Sequence, residues 1–363
     1  MAWLLLLIII PYLYLLFKIC GRLVNIKPYR PSETTDIFVS VIIACRNEEK
    51  LIPLIIDDII SQEYNPDYFE LIIVDDNSTD HSYQIAKGYN NIKNLIVLKN
   101  KGTGKKKGIR TGVEASRGSF IVTTDADCRM NEKWLKTIVS FYQENNRDML
   151  ICPVMLEYHG GFPDWFQELE FLSLQGITAG TAAEGNPVMC NGANLAFRKE
   201  VYERHASDLH EELISGDDVF LLHNIKRESG KIAWLESENA SVTTRTEPSL
   251  KSFLIQRARW ISKAGSYNDS YSIILAIVTL LTILFQLSML ILGFFNIIFL
   301  LIFLTAFILK SIPDFLILLN RALRHKKKNL LWFFLPGEII YPFYVTVLFI
   351  YYLFTRSGYF IDR

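Results

Sequence analysis

Asp125 and Asp127 stand one residue apart in TDADC, directly after the run FIVT. Two carboxylates at that spacing, at the end of a strand, can reach one hard divalent cation, which prefers oxygen ligands and accepts a diphosphate into its shell. The spacing alone is weak, because Asp127 could equally cap a helix expected to start near Asn131. Other acids strengthen it: Glu48 and Glu49 follow FVSVIIA, Asp75 and Asp76 follow LIIV, and Asp217 and Asp218 in SGDD open DDVFLLHNIKRE. Acids crowded at strand ends are costly unless a cation joins them. Farther on, Gln256, Arg259 and Trp260 in QRARW are spaced i, i+3, i+4 on a helix expected over 249–263, and so share a face. An aromatic plate there suits a sugar ring or acceptor and a guanidinium suits a diphosphate, while an interfacial helix anchored by a Trp fits the same pattern.

The elements that must hold these groups read as alternating strands and helices. FVSVIIA, LIIV, NLIVL and SFIVTT are short β-branched runs, separated by helical spacing in EEKLIPLIIDDII, after NSTD, and in a basic stretch from about Lys105 to Arg117. This order predicts an α/β fold with a mostly parallel sheet flanked by helices, whose ligands collect beyond the carboxyl ends of the strands. Asp75, Asp76, Asp125 and Asp127 fall at those ends.

The apolar residues are unevenly placed. From Met1 to Phe17 nothing is charged, then Lys18 and Arg22 follow, which predicts a retained membrane anchor over 1–21. The uncharged run from Tyr271 to Leu309, continuing to about Asn320, is too long for one crossing and should turn near Gly293 and Asn296. A last span is expected from Glu338 to Thr355, with 331–336 in the interface, giving a C-terminal region over 270–356 with about three helices. The basic loop 320–329 and the cations flanking the other inner ends place the N-terminus outside and the block at 36–265 in the cytoplasm, as in a bacterial inner or plasma membrane protein. Lys310 and Asp314, four apart, should pair on one helix face and reach the headgroups, with Glu338 also interfacial.

Thirty-eight Lys and Arg against thirty-eight Asp and Glu leave no net positive field, so nucleic acid is not an expected partner. Half of the residues are hydrophobic, which excludes disorder as the main theme. The five cysteines show no Cys-x-x-Cys spacing, so neither a disulfide framework nor a zinc cage is expected. His159, His205 and His210 form no ligand spacing either.

Taken in order, VSVIIACRNEE (39–49), IIVDDNSTD (72–80), GKKKGIRTGVEASRG (104–118), TDADC, NGANLAFR (191–198), SGDD and QRARW resemble the motifs of family 2 glycosyltransferases, membrane enzymes of the GT-A fold. The likeness covers roughly residues 38–263. Its QxxRW ending is similar to that of cellulose, chitin and hyaluronan synthases and of ceramide glucosyltransferase. The resemblance implies inverting transfer of a sugar from a nucleotide-diphosphate sugar, commonly UDP-linked, to a lipid-linked or polysaccharide acceptor. It places Mg2+ or Mn2+ on Asp125 and Asp127. Arg46, Glu48, Asp75, Asp76 and Asp125 take the nucleotide side, and Asp218 acts as general base. Asn194, Asp217, Gln256, Arg259 and Trp260 take the acceptor and diphosphate side. Arg110 departs from the Asn that members often carry, and Lys105, Lys106 and Lys107 before it read as a solvated helix start or as phosphate contacts. Two other readings are a haloacid-dehalogenase-like membrane phosphatase with Asp125 as nucleophile, and a non-catalytic nucleotide-sugar-binding membrane protein.

Overall fold

The computed structural model describes residues 2–31, 37–89, 92–157, 164–210, 213 and 215–355. His159 lies outside them. The chain divides into two compact units, one of residues 27–157 and 189–245, the other of residues 1–26, 158–188 and 246–363. One domain is expected over 36–265; of the described residues in that block, 164–188 and the QRARW segment group with the apolar helices.

The first unit is built on strands β1 (Val39–Cys45), β2 (Phe69–Asp75), β3 (Leu95–Lys99), β4 (Phe120–Asp125), β5 (Arg129–Met130), β6 (Met149–Ile151), β7 (Val154–Glu157), β8 (Asn194–Arg198), β9 (Ile232–Trp234) and β10 (Val242–Arg245). Seven make a sheet in the order β3-β2-β1-β4-β8-β6-β9, and β5-β10-β7 make a smaller one. β3, β2, β1 and β4 are parallel, as expected, while β8 runs antiparallel to both β4 and β6. β1 and β2 are central and covered on both faces, which is why VSVIIAC and FELIIVD are almost wholly buried rather than alternating.

The chain winds from β1 outward through β2 to β3, then returns to place β4 on the other side of β1. That reversal opens a crevice at the carboxyl ends of β1 and β4. Register puts Asp75 opposite Cys45 and Asp125 opposite Ala44. The two aspartates thus flank the end of β1, about 10 Å apart across two strand spacings. Helix Lys105–Ala115 lies on β1 through glycines. A Cβ on Gly112 would sit 2.5 Å from Ile42 Cγ2, and one on Gly108 2.9 Å from Ala44 Cβ. This close packing delivers the helix N-terminus to the strand ends.

In the other unit, four helical stretches are long and apolar enough to cross a membrane: Ala2–Val24, Ser270–Gly293, Ile297–Arg324 and Lys328–Phe354. The hairpin turns where expected, with Asn296 Oδ1 capping the Ile298 N–H at 2.9 Å. Two expectations are corrected. The last span starts earlier, as a 3-10 turn Lys328–Phe333 followed by helix Phe334–Thr355, so Glu338 is inside it. Lys310 does not reach headgroups either. It is 2% exposed, donating to Asp314 Oδ2 at 2.7 Å and to Glu338, while Tyr12 Oη donates to Asp314 Oδ1 at 2.6 Å. Two carboxylates on neighbouring helices make inward pairing cheaper than stretching to water.

Helix Asp164–Ala183 was not anticipated and is buried over most of its length. Glu168 pairs with Lys327 and Glu170 with Arg257. Gly176 and Gly180 let it approach the first and third spans: a Cβ would sit 2.4 Å from Ile317 Cγ2 and 2.5 Å from Ile19 Cγ2, respectively.

Candidate active site

β4 carries its apolar run to the sheet edge and ends at Asp125, so the following residues turn back over the strand ends. Asp127 does not cap a helix. Its Oδ2 accepts from Thr244 Oγ1 at 2.8 Å, and the next long helix begins only at Trp134. Burial raises the Asp127 pKa, and the neighbouring Asp125 charge raises it further. Glu48, just after β1, is pushed up to about 7, first by burial and then by Asp127, Asp80 and Asp125, with Arg245 pulling the other way. These acids are therefore near enough to repel one another.

Lys105 answers part of that repulsion. It opens helix Lys105–Ala115 behind Gly104, whose φ of 92° suits glycine alone. Its ammonium is bonded to Asp125 Oδ1. Partial desolvation disfavours the charge on Lys105, whose side chain stays 42% exposed, but Asp125, with Asp217 and Asp218 beyond it, more than reverses this and raises its pKa. The same lysine lines a water-sized cavity of about 10 Å3 with Thr123, Gly192, Tyr202, Asp217 and Asp218. The expected solvated helix start is wrong for Lys106, which is buried and donates to the carbonyls of Leu209 and His210 at 2.8 and 2.7 Å, while Lys105 and Lys107 are exposed. Arg110 pairs with Glu114 on the outer face. A lysine following a glycine at a helix start that faces strand ends was the available signal for Lys105.

Asp218 lies in the first turn of helix Asp217–Arg227, after Gly216 at φ 104°. Its Oδ2 accepts from the Gly192 N–H at 3.0 Å and its Oδ1 from the Val219 N–H at 2.8 Å, which fixes the plane of the carboxylate. Asp217 lines the same cavity.

On the far side of β1, Asp75 is 3% exposed. Its Oδ2 accepts from the Ser78 N–H at 3.3 Å, and its buried Oδ1 has no partner among the described residues. Asp76 is engaged, accepting from Asn100 Nδ2 at 2.7 Å and from the Gly104 N–H at 2.9 Å. It thereby shapes the turn that launches Lys105. Arg46 is exposed.

Asn194 is a correction. It is 0% exposed in β8, and its Nδ2 donates to Pro153 O at 2.7 Å and Ala240 O at 2.8 Å, while its Oδ1 accepts from Trp134 Nε1 at 3.0 Å. With every polar atom used inside the core it ties strands together and has none left for an acceptor.

The QRARW residues belong to the other unit, on helix Leu250–Ser262, whose start is closed by a Ser249–Ser252 capping box. Gln256 is held at both ends of its amide, by Glu247 at 2.7 Å and by Arg257. Trp260 lies against the Arg257 guanidinium, and Arg259 Nε has no partner among the described residues.

The donor set at β4 fits a hard divalent cation. It offers carboxylate oxygens only, they repel one another, and one has already drawn in an ammonium. Among the described residues no group of three or more His, Cys, Asp or Glu side chains forms a closed metal cage. Two protein carboxylates with the rest of the shell left to substrate oxygens is the usual arrangement for Mg2+. The cysteines are all free thiols, and Cys45 is pushed up to about 12 by burial and the acids around it, so it is no nucleophile at neutral pH.

The family model described as Glycosyl transferase family 2 matches residues 40–206. Among curated relatives, the poly(ribitol-phosphate) beta-N-acetylglucosaminyltransferase TarS of Staphylococcus aureus is 32% identical over 114 residues, 31% of this chain and 20% of that protein. Glycosyltransferase AglE of Haloferax volcanii is 28% identical over 186 residues, 50% of this chain and 59% of that protein. The matches thus span less than two thirds of either relative. Among solved structures, the mannosyltransferase PcManGT from Pyrobaculum calidifontis, in complex with GDP-Man and Mn2+, covers 93% of this chain and 98% of its own, with TM-score 0.57 and 18% identity. That likeness is one of fold.

Proposed function

Residues 40–206 belong to glycosyltransferase family 2, and from that premise we propose that the protein is a membrane-bound, inverting glycosyltransferase. It moves a sugar from a nucleotide-diphosphate sugar to a lipid-linked or polysaccharide acceptor. The observation that carries this reading is the position of Lys105, which pairs with Asp125 and also lines the cavity beside Asp217 and Asp218, so that one ammonium stands between the two acidic segments.

Asp125 and Asp127 would hold Mg2+ or Mn2+; in the Pyrobaculum neighbour Mn2+ accompanies GDP-Man, which supports a cation beside the diphosphate. When bound, the cation neutralises charge on the departing diphosphate. Asp75 Oδ1, buried and unpartnered among the described residues, suits a nucleobase N–H or a ribose hydroxyl. Asp218 takes the proton from the acceptor hydroxyl as that oxygen attacks the anomeric carbon from the face opposite the diphosphate. Bond formation and departure on opposite faces in a single displacement invert the centre. The two N–H groups that grip Asp218 keep its carboxylate oriented for that transfer. Arg259, whose Nε has no partner among the described residues, is the QRARW residue best suited to phosphate oxygens. The basic loop 320–329 favours a cytoplasmic placement for the catalytic unit.

The test is to incubate the full chain, purified in detergent, with a panel of UDP- and GDP-sugars with and without Mn2+, scoring released nucleotide diphosphate. Release should require the metal. Asp218→Asn should abolish turnover yet still bind donor, and Asp127→Asn should lose metal-dependent donor binding. Release of inorganic phosphate alone, or turnover indifferent to chelator, would overturn the reading.

A further inference from the structure

The QxxRW pattern leaves two of the five residues in QRARW unspecified, Arg257 and Ala258, and the first of these is the most deeply engaged of the five. Arg257 has a 4% exposed side chain, and its Nε and Nη2 both donate to Glu170 Oε2, at 2.8 and 2.6 Å. Its Nη1 donates to Gln256 Oε1. Its guanidinium lies between two rings, 4.1 Å from the Trp260 centroid and 4.5 Å from that of Phe253. Glu170 is itself held, through Oε1, by the Tyr344 hydroxyl at 2.9 Å.

Arg259, two residues on, shows the contrast. Arg257 spends its donors inside the unit, whereas Arg259 Nε has no partner among the described residues. A planar guanidinium can fork onto a carboxylate and stack on an indole at once; a lysine ammonium can do the first only in part and the second only as a point charge. Gln256 and Trp260, a full turn apart, are therefore tied to one buried plane. We infer that Arg257, anchored by Glu170, is a positioning residue that fixes the amide of Gln256 and the ring of Trp260 in the orientation in which the QRARW face meets substrate. This rests on the glycosyltransferase reading above, and it assigns Glu170 of helix Asp164–Ala183 to the same task.

The test uses the intact chain in detergent and the nucleotide sugar that the panel selects. Arg257→Lys keeps the charge and loses the fork and the stack. It should lower kcat about tenfold while donor KM stays within about twofold and the melting curve stays cooperative. Glu170→Gln, which keeps an acceptor, should show the same split in weaker form. Trp260→Phe should lower kcat on its own, and the double variant Arg257→Lys/Trp260→Phe should be no worse than the more impaired single, because both changes act through one ring. The Trp260 fluorescence, taken as the difference between wild type and Trp260→Phe, should be quenched by acrylamide about twofold more strongly in Arg257→Lys.

Additive losses, unchanged kcat in Arg257→Lys, or unaltered quenching would each overturn the positioning role while leaving the glycosyltransferase reading intact. Collapse of the melting transition in both Arg257→Lys and Glu170→Gln would make the pair purely structural and overturn it as well. If Trp260→Phe and Trp260→Ala turn over normally, the QRARW face meets no substrate and the inference falls with that assignment. If no nucleotide sugar is turned over, the function itself fails, and the quenching result still decides whether Arg257 holds the ring.

Discussion

Lys105 and Asp125 form an ion pair at the point where helix Lys105–Ala115 meets the end of β4, so an ammonium sits where a divalent cation would be bound. On the proposed function the lysine would have to share or yield Asp125 to a bound metal. Lys105→Gln should therefore tighten Mn2+ binding in the absence of nucleotide about three- to tenfold, a modest figure because the pair is partly exposed and screened. Mn2+ titration followed by electron paramagnetic resonance measures this directly, and an affinity equal to wild type would show that the two cations do not compete.

The acids predict a pH dependence of stability with a definite sign. Glu48 has a folded-state pKa of about 7 against an ordinary 4.5, so between those values the native state holds a proton that the unfolded chain has released. Stability should then fall as pH rises from about 5 to 7, by about 1–2 kcal/mol after screening by solvent. Asp127, also raised, contributes with the same sign. Glu48→Gln should flatten the slope, and so should saturating Mn2+. Melting temperatures recorded from pH 5 to 8 in chelator would contradict this if they rose steadily.

Glycine placement makes the helix that carries Lys105 intolerant of added atoms. Gly112→Ala puts a methyl group 2.5 Å from Ile42 Cγ2, and Ile42 is fully buried in the central strand. The expected cost is about 1–3 kcal/mol, with a loss of turnover as the lysine shifts. Gly88→Ala, with nothing within 4 Å of the new atom, should be neutral or gain up to about 1 kcal/mol. Chemical denaturation of both variants tests the contrast.

Inside the apolar helices, Lys310 pairs with both Asp314 and Glu338. Lys310→Met should cost about 3–5 kcal/mol, because it leaves two buried carboxylates facing each other. Adding Asp314→Asn and Glu338→Gln to the same chain should restore most of the loss. Thermal melting in detergent would sink the account if the single and triple variants behaved alike.

Much of this was visible in the sequence wherever the signal was local. β-branched runs marked β1, β2 and β4, the acids after them marked the strand ends, and i, i+4 spacing paired Lys310 with Asp314. The rest depended on partners far along the chain. Glu338 is 28 residues from Lys310, so its part in neutralising the lysine could not be read from either helix. Asn194 resembled a ligand-side residue because nothing local announced that NLAFR is a strand inserted antiparallel beside β4. Helix Asp164–Ala183 buries Glu168 and Glu170, and the cations that satisfy them, Lys327 and Arg257, lie far along the chain.

The small-residue seam on helix Asp164–Ala183 sets an order of assembly. Gly176 rests on Ile317 and Gly180 on Ile19, so one docking surface is synthesised before the helix and the other well over a hundred residues after it. During translation the segment must wait, half seated, until the later hydrophobic hairpin has been inserted. A nascent chain arrested before residue 297 should therefore leave 164–183 open to protease, and release of the full-length product should close it.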